Sequence, residues 1–324
     1  MKQNVAIIMG GYSSEVEISL KSGEMVYSNI DRNLFNPYRV KILKDRWVLL
    51  NENNQEFSIN KHDFTATIDN KHIVFDVVFN AIHGTPGEDG TILAYFKLLG
   101  LKHTSAPFYQ MALTFNKRDC LSVAKSYGIK TATSYYLNKG QEINEKEIID
   151  TVGLPCFVKP NNAGSSFGIS KVKEANQLKN AIDFAFKEDT ELIIESFLDG
   201  TEVSVGVLEY KGEVKVLPIT EIVSENEFFD YEAKYLGKSQ EITPARISMI
   251  QQKNVEKIAK KLYESLNMKG FTRSEFILIE NEPYFLEMNT VPGLTAESIL
   301  PQQAAKAGIT QQELFTNAIM MALK

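Results

Sequence analysis

The sequence predicts an α/β protein of several domains, with a parallel sheet in its N-terminal part and antiparallel sheets after it. Three observations support this fold class. Apolar runs and helix patterns alternate in the first third, short strand patterns fill the middle third, and hairpin patterns dominate the last third. With 324 residues, the chain is long enough for two or three domains that each bury a core.

The N-terminal third begins with a strand that leads into a helix. VAIIM at 5–9 is an unbroken apolar run that ends at Gly10 and Gly11, as expected of a buried parallel strand before a tight turn. Ser14 and Glu17 match a capping box, so we expect a helix to begin there.

The same alternation continues through the first hundred residues. RVKIL at 39–43 and the apolar run at 73–84 predict two more strands, and the helix predicted after the second run ends at Gly100. Strands and helices in alternation indicate a parallel sheet, and the polar cluster HGTPGEDG follows the end of its third strand.

The middle third has a different pattern. One helix is predicted at 116–128, with Gly128 at its end, and another at 175–186. Four segments have the pattern of short strands: ATSYYL, LPCFVKP, GISKVK and ELIIESF. Short strands joined by loops indicate an antiparallel sheet with a helix on one face.

The last third combines hairpins and helices. In chain order the pattern predicts a hairpin at 201–220, an irregular polar stretch at 224–246, a helix at 254–267, a hairpin at 274–289 and a C-terminal helix. Thr310 and Glu313 match a capping box at the start of that last helix.

Composition and charge are those of an ordinary globular protein. Hydrophobic residues make up 44% and charged residues 23%, and the net charge of −6 argues against a nucleic-acid-binding surface. Cys120 and Cys156 lie outside any Cys/His cluster, so we expect two buried thiols in a reducing compartment. The N-terminal apolar run is too short for a signal peptide and no later run suits a membrane helix, so we expect a cytoplasmic protein.

The loop KPNNAGSSFGIS at 159–170 joins a lysine to a run of small residues. The backbone N–H groups of such a loop can line a phosphate chain. The GxxxxGK[ST] phosphate loop is absent, because Lys159 precedes the small residues. A flexible hairpin tip would have the same composition, so this loop alone leaves both interpretations open.

The hairpin at 274–289 carries acidic and amide side chains at strand spacing. Glu287 and Asn289 are two residues apart and therefore face the same way. Hairpin pairing would bring Glu275 close to Glu287, with Arg273 on the same face as Glu275. Oxygen ligands of this kind suit Mg²⁺ bound with a triphosphate. A solvated hairpin face is the alternative.

The segment NTVPGLTAES at 289–298 places Ser298 at the start of the helix that follows. A helix N-terminus can bind an anion through its N–H groups, and a substrate carboxylate would fit there. Ordinary turn residues before a helix are the alternative explanation.

Six motifs occur in the order of a known family: GGYSSEVEISL, AIHGTPGEDGT, NK, VKPNNAGSSFGISKV, DYEAKYL and EMNTVPGLT. In these motifs, over nearly the whole chain, the sequence resembles the D-alanine–D-alanine ligases of the ATP-grasp superfamily. The resemblance implies an ATP-grasp fold with an N-terminal parallel-sheet domain. It implies a substrate domain at 1–106, a central ATP-grasp subdomain at 107–196, and a C-terminal one at 197–324 with a mobile lid at about 224–246.

The resemblance also implies a reaction and its partners. These ligases join two D-alanines to D-alanyl-D-alanine for peptidoglycan synthesis, through a D-alanyl phosphate intermediate. They use ATP and two metal ions, which are Mg²⁺ or Mn²⁺. They are commonly dimeric, so a homodimer that binds neither nucleic acid nor a membrane is expected.

The family's motifs imply a nucleotide site with two phosphate-contacting lysines, a glycine- and serine-rich loop, an adenine hinge, a ribose carboxylate, apolar walls and a lid lysine. Lys117 and Lys159 match the phosphate-contacting lysines, and Ser166 belongs to the loop. The hinge residues are Glu195, Ser196, Phe197 and Leu198. Glu202 matches the ribose carboxylate, Phe157 and Leu286 match the apolar walls, and Lys234 matches the lid lysine.

The resemblance makes Glu275, Glu287 and Asn289 metal ligands and Arg273 the residue that steadies the transferred phosphoryl group. The family usually has Asp where this chain has Glu275. Glutamate keeps the charge and adds a methylene, so we expect the ligand to be retained.

On the substrate side, Glu15 matches the carboxylate that holds the ammonium of the first D-alanine. His83 and Glu88 are expected to line the same pocket. Tyr235 would hydrogen-bond to Ser165 and, through it, to Glu15, so that lid, loop and N-terminal domain are linked.

For the second D-alanine, Gly293 and Ser298 match the site of the carboxylate, with Ile299 in place of the more usual Leu. Other functions stay open. A relative that uses D-lactate or D-serine as second substrate would share most motifs, although Tyr235 favours an amine acceptor. Another ATP-grasp carboxylate–amine ligase would share the nucleotide site, and a two-lobed binding protein would need no metal ligands.

Overall fold

The computed structural model describes residues 2–162, 164, 167–224 and 239–324. In these ranges, three β-sheets of eight, four and six strands follow one another along the chain, and helices pack against each of them. The predicted α/β class with several sheets is therefore confirmed. Within the described ranges, no helix is both long enough and apolar enough to cross a membrane.

The first sheet is built from the N-terminal third. Its elements are β1 (Gln3–Gly10), α1 (Val16–Asn29), β2 (Phe35–Ile42), β3 (Trp47–Leu50), β4 (Glu56–Asn60), β5 (Thr65–Ile68), β6 (Lys71–Ile73), β7 (Val77–Asn80), α2 (Thr91–Leu99) and β8 (Lys102–His103). The strand order is β6-β5-β4-β3-β2-β1-β7-β8. β2, β1, β7 and β8 are parallel, which confirms the predicted parallel arrangement for these strands.

Strands β3 to β6 pair antiparallel and extend the sheet beyond the predicted part. Apolar patterning does not reveal them because they are only three to five residues long: Ile59 alone is buried in β4, whereas three of the four residues of β3 are buried. The apolar run at 73–84 is not one strand either, since β6 ends at Ile73 and β7 begins at Val77.

The start of α1 differs from the prediction. Ser14 and Glu17 form no capping box; Glu15 is the N-cap residue, and its side chain makes no capping hydrogen bond. The Ser13 hydroxyl instead accepts from the Glu15 N–H. The local turn after β1 therefore delays the helix to Val16 and leaves Glu15 at the end of the sheet.

The middle third forms the second sheet. Its elements are α3 (Phe108–Phe115), α4 (Lys117–Ser126), β9 (Ser134–Asn138), α5 (Glu145–Val152), β10 (Cys156–Pro160), β11 (Ser170–Val172), a short 3₁₀ turn (Ala175–Gln177), α6 (Leu178–Ala185) and β12 (Glu191–Ser196). The order β11-β10-β12-β9 is antiparallel throughout, as predicted. Cys120 and Cys156 are buried thiols, also as predicted.

The last third forms the third sheet. Its elements are β13 (Thr201–Tyr210), β14 (Glu213–Val216), β15 (Thr220–Ser224), β16 (Ser239–Ile242), α7 (Met249–Ser265), β17 (Phe271–Ile279), β18 (Glu282–Asn289), α8 (Ile299–Lys306) and α9 (Gln311–Leu323). The order is β16-β15-β13-β17-β18, with β14 beside β13. Both predicted hairpins are present, and the Thr310 side chain caps α9 by accepting from the Glu313 N–H.

The C-terminal helix packs against the N-terminal sheet. α9 packs on the first sheet, where the rings of Phe79 and Phe315 meet edge to face with centroids 5.7 Å apart. One buried apolar cluster contains Ile7 of β1 together with Leu314 of α9. This shared core fixes the loops that follow β1, β7 and β18 relative to one another.

Candidate active site

Glu88 follows β7 and connects the first sheet to the loop that follows β18. Its carboxylate accepts from the Gly84 N–H at 3.1 Å and from the N–H groups of Thr290 and Val291 at 3.2 and 3.4 Å. Burial and, to a lesser extent, the charge of Glu15 outweigh these hydrogen bonds and raise the pKa of Glu88 to about 7. Two carboxyl groups therefore share one pocket.

His83 lies in the same pocket and is held in its neutral form. Its Nε2 is 2.9 Å from the Ser22 hydroxyl, which also accepts from the Leu294 N–H at 3.4 Å. Burial lowers the pKa of His83 to about 4, and the charge of Arg273 acts in the same direction. Arg273 belongs to the third sheet, and the Leu294 N–H that reaches Ser22 follows the last strand of that sheet, so both sheets contribute to this pocket.

Ser22 is a pocket residue that the motifs do not indicate. It lies two helical turns after Glu15, on the same face of α1, and it is fully buried. A polar residue on the buried side of a helix is the signal that could have revealed it.

The small-residue loop after β10 reaches the carboxylate of Glu15. A Cβ atom on Gly164 would lie 2.9 Å from both Glu15 oxygens, so a larger residue there would displace the Glu15 carboxylate. Ser165 and Ser166 lie outside the described residues, as do Lys234 and Tyr235 of the expected lid. Their predicted roles stay predictions.

Lys159 forms a buried ion pair on the open face of the second sheet. Its Nζ donates to Oε2 of Glu195 at 2.9 Å, and the two side chains are 16% and 3% exposed. Burial alone would lower the pKa of Lys159. The charge and hydrogen bond of Glu195, with the charges of Glu287 and Glu202, outweigh it and raise that pKa.

The same face carries the residues predicted to hold a purine base. Phe157 pairs with Glu195 in the strand register and lies two residues before Lys159, so all three point to one side. The rings of Phe157 and Phe197 are 6.1 Å apart. Leu198 follows Phe197 directly.

Ser196 closes the end of this face against the segment before β9. Its hydroxyl accepts from the Thr133 N–H at 3.1 Å, and its N–H donates to the Thr133 carbonyl. Glu202 lies on β13, where it is half-buried, and its charge contributes to the raised pKa of Lys159. The structure therefore brings the predicted hinge and ribose residues together.

Lys117 enters the site from the first turn of α4. The Asn116 side chain caps this helix, and the Lys117 N–H donates to the carbonyl of Asn161, just after β10. Lys117 Nζ lies 3.4 Å from Glu287 Oε2. This contact links the second sheet to the hairpin of the third.

That hairpin has a β-bulge at the predicted metal ligands. Glu275 pairs with Glu287, but Phe276 pairs with Phe285, so Leu286 is an extra residue in β18. Phe285 and Met288 are buried, whereas Leu286, Glu287 and Asn289 are half-buried. The bulge therefore lets Leu286 share the open face with Glu287 and Asn289, which regular alternation would not allow.

Glu275, Glu287 and Asn289 fit a hard divalent cation. Two carboxylates directly opposite each other repel unless a cation lies between them. Among the described residues, the buried Oε1 of Glu275 makes no hydrogen bond, and within those ranges no three His, Cys, Asp or Glu side chains converge. Mg²⁺ needs only one or two carboxylates when phosphate and water supply the remaining oxygens.

Arg273 lies beside this set. Its Nη1 is 2.9 Å from Oε1 of Glu275, in an ion pair whose geometry is not that of a hydrogen bond, and it donates to the Ser204 hydroxyl at 3.3 Å. The guanidinium is thus positioned between the acidic pair and the pocket of His83.

Ser298 is the N-cap residue of α8, as the sequence indicates. Its hydroxyl is 2.8 Å from that of Thr295, and Gly293 packs directly against it. Ile299 is buried against Ile222 of β15. Gly293, Ser298 and Ile299 therefore form one group beside the loop that Glu88 holds.

The described residues form one continuous site with two kinds of chemistry. Lysines 117 and 159 with Arg273 can neutralise a polyphosphate, and acidic and amide oxygens beside them can hold a cation. The carboxylates of Glu15 and Glu88 can bind an ammonium group. An apolar face next to Lys159 can accept a planar base.

The chain also matches known proteins along its length. It matches the family described as "D-ala D-ala ligase N-terminus" over residues 4–106 and "D-ala D-ala ligase C-terminus" over residues 123–320. It is similar to the D-alanine--D-alanine ligase of Flavobacterium johnsoniae, with 65% identity over 321 residues that cover 99% of each chain.

Solved structures show the same likeness. The VanG D-Ala:D-Ser ligase from Enterococcus faecalis matches with a TM-score of 0.86 and 29% identity, over 99% of this chain and 100% of that one. The D-alanine--D-alanine ligase from Bacillus anthracis complexed with ATP matches with a TM-score of 0.79 and 25% identity, over 99% and 97%.

Proposed function

The chain belongs to the D-alanine–D-alanine ligase family, and from this premise we propose how its residues divide the work of the reaction. It is an ATP-grasp enzyme that joins two D-alanines to D-alanyl-D-alanine, a peptidoglycan precursor, using ATP. The observation that carries the proposal is the convergence of Lys117, Lys159, Arg273 and the acidic hairpin beside the pocket of Glu15 and Glu88.

ATP lies on the open face of the second sheet. Phe157 and Leu286 enclose the adenine from its two sides, and the hinge Glu195, Ser196, Phe197 and Leu198 recognises its edge. Glu202 binds the ribose, and Lys117, Lys159, Ser166 and Lys234 contact the phosphates. The ATP complex of the Bacillus anthracis ligase supports ATP as the nucleotide, and the buried pair of Lys159 and Glu195 supports this placement.

Glu275, Glu287 and Asn289 hold Mg²⁺, for which Mn²⁺ can substitute. Two bound ions would neutralise phosphate charge and so make the γ-phosphorus easier to attack. The acidic pair across the hairpin supports this assignment, as does the buried Oε1 of Glu275, which is ion-paired with Arg273 but makes no hydrogen bond among the described residues.

In the first step the carboxylate of the first D-alanine attacks the γ-phosphorus of ATP. The bond from that phosphorus to the β,γ-bridging oxygen breaks, which gives D-alanyl phosphate and ADP. Glu15 holds the substrate ammonium, and neutral His83 with Glu88 shapes the pocket around it. Arg273 stabilises charge on the transferred phosphoryl group.

In the second step the amine of the second D-alanine, after losing a proton, attacks the carbonyl carbon of D-alanyl phosphate. The C–N bond forms and the carbon–oxygen bond to phosphate breaks, so inorganic phosphate leaves. Gly293 and Ser298 bind the acceptor carboxylate, with Ile299 beside them. We assign Tyr235 and Ser165 to closing the site on the motif match alone.

We further propose three domains, at 1–106, 107–196 and 197–324, a lid at about 224–246, a homodimer and a cytoplasmic location. The three successive sheets and the separate family matches over residues 4–106 and 123–320 support the domain division. ATP and D-alanine as substrates support the location.

The proposal is tested by measuring phosphate release from ATP and Mg²⁺ with D-alanine, with L-alanine, or with D-alanine plus D-lactate or D-serine. We expect phosphate release in every reaction that contains D-alanine and none with L-alanine. Mass spectrometry should identify D-alanyl-D-alanine as the main product of each reaction that releases phosphate. Release with L-alanine, or a mixed product as the main species, would contradict the substrate assignment. Omitting the metal should abolish release.

A further inference from the structure

Strand β13 has a gap along one of its sides. β15 pairs with it as far as Ser204, and β14 pairs with it from Val207 onward. The connection between these two partners contains Pro218, which has no N–H to donate. Its neighbour Leu217 donates to the carbonyl of Gly206 at 2.8 Å, so the backbone of Gly206 faces this gap.

The side chain of Gln303, from α8, fills the gap. Its Oε1 accepts from the Gly206 N–H at 2.9 Å, and its Nε2 donates to the Ser204 carbonyl at 2.8 Å and to the Thr220 hydroxyl at 3.0 Å. Gln303 is 0% exposed. The amide thus replaces a peptide group of a missing strand residue and satisfies buried backbone groups.

The approach of α8 to β13 depends on glycine at position 206. A Cβ atom there would lie 2.8 Å from Gln303 Oε1 and 2.6 Å from Leu300 Cδ1. The helix and the strand are therefore held at a short distance by a fully satisfied polar contact, which permits little sliding.

Both ends of this contact lie next to the proposed active site. In the β13–β17 register, Ser204 is opposite Glu275 and Gly206 is opposite Arg273. The Ser204 hydroxyl also accepts from Arg273. At the other end, Gln303 belongs to the helix that begins directly after Ser298.

We propose that Gln303 is a positioning residue that holds the acceptor-binding end of α8 in register with Arg273 and Glu275. This assignment rests on the function proposed above, because it concerns the distance between the two reacting groups. Gln303 itself touches no substrate. Its loss would let Ser298 move relative to the phosphoryl group, and small displacements of reactants slow a reaction strongly.

Asn317 provides a matched control on the same strand. From α9, its Oδ1 accepts from the Lys211 N–H at 2.9 Å and its Nδ2 donates to the Glu209 carbonyl at 2.8 Å. Asn317 is 6% exposed. It is therefore a second amide that satisfies the backbone of β13 and the turn after it, but at the end of the strand remote from Ser204.

The test compares Gln303→Met with Asn317→Leu. Each variant keeps side-chain volume and removes the hydrogen bonds, so both should lower the melting temperature. We expect Gln303→Met alone to raise the KM for the acceptor D-alanine, by about tenfold, and to lower kcat, with the KM for ATP within about twofold of wild type. Equal kinetic effects in both variants, or wild-type kinetics in Gln303→Met, would overturn the proposal.

Gln303→Glu provides a second measurement, which decides the question if Gln303→Met does not fold. The protonated carboxyl can donate to Ser204 and accept from Gly206, whereas the ionised form cannot donate. The ratio of the variant's acceptor KM to that of wild type should fall as the pH is lowered. A ratio independent of pH would contradict the assignment. Wild type without D-alanine-dependent phosphate release would instead refute the proposed function.

Discussion

At the scale of single residues, the three described cations assigned to the phosphoryl groups, Lys117, Lys159 and Arg273, each have an acidic partner in the protein. Lys159 pairs with Glu195, Lys117 with Glu287 and Arg273 with Glu275. Removing one partner of a buried ion pair leaves the other charge uncompensated. These pairs therefore hold the cations in place before a nucleotide binds.

Lys159→Met tests the pair that is best buried. Oε1 of Glu195 already makes no hydrogen bond among the described residues, and the substitution would also remove the partner of Oε2. We expect unfolding free energy to fall by about 3 kcal/mol and the KM for ATP to rise by at least about tenfold. Urea unfolding and steady-state kinetics measure the two effects.

Lys179→Met is the control for this substitution. Lys179 pairs with Asp183 on the exposed surface of α6, where the ion pair adds little. Both quantities should stay at wild-type values. A rise in the KM for D-alanine that exceeds the rise for ATP in Lys159→Met would contradict the phosphate role.

At the scale of elements, a β-bulge and a helix N-terminus determine which side chains enter the site. The bulge at Leu286 places three of the four last residues of β18 on the open face. The turn before α1 places Glu15, rather than a capping serine, at the helix start. In both cases, local hydrogen bonding departs from the regular pattern where a functional side chain is required.

The two predicted capping boxes should differ in their effect on stability. Thr310 accepts from the Glu313 N–H, whereas Ser14 is exposed and makes no cap. Thr310→Ala should lower the free energy of unfolding by about 1 kcal/mol, and Ser14→Ala should leave it nearly unchanged. Chemical denaturation of both variants checks this. Equal losses would mean that Ser14 has a role that the helix start does not show.

At the scale of the whole molecule, the pocket is closed by contacts between the first and third sheets. Glu88 binds the backbone after β18, and Ser22 binds the same loop through Leu294. The helix α9 returns to the first sheet and buries Phe315 against Phe79. Substrate pocket and hairpin therefore depend on the same long-range packing.

His83 and Glu88 should make the free energy of unfolding depend on pH in opposite directions. Burial lowers the pKa of His83 from 6.5 to about 4, so its contribution increases as the pH rises through that window. Burial raises the pKa of Glu88 from 4.5 to about 7, so the folded state binds the proton more tightly. Its contribution therefore decreases between those pH values.

Glu88→Gln should remove only the second of these dependences. Relative to wild type, the variant should gain stability as the pH rises from 4.5 to about 7, by on the order of 3 kcal/mol over the whole range. Urea unfolding of both proteins at several pH values measures the difference. A difference that does not change with pH would show that Glu88 titrates normally.

Much of the fold follows from local patterns. The apolar run of β1, the antiparallel middle strands and the hairpin at 274–289 each have the periodicity of their structures, and the register of Glu275 with Glu287 follows from hairpin pairing. Strands β3 to β6 do not, because segments of three to five residues are too short to show a clear period.

The sequence by itself determined the family, the reaction and the identity of the candidate residues, because those depend on motifs whose order is fixed along the chain. Only the tertiary structure decided that Leu286 shares a face with Glu287, that Ser22 contacts His83, and that Gln303 fills a gap in β13. These contacts join residues distant in the chain, or break the regular alternation, and neither is encoded in a local pattern. Their energies come from burial and hydrogen bonding that exist only once the sheets have packed.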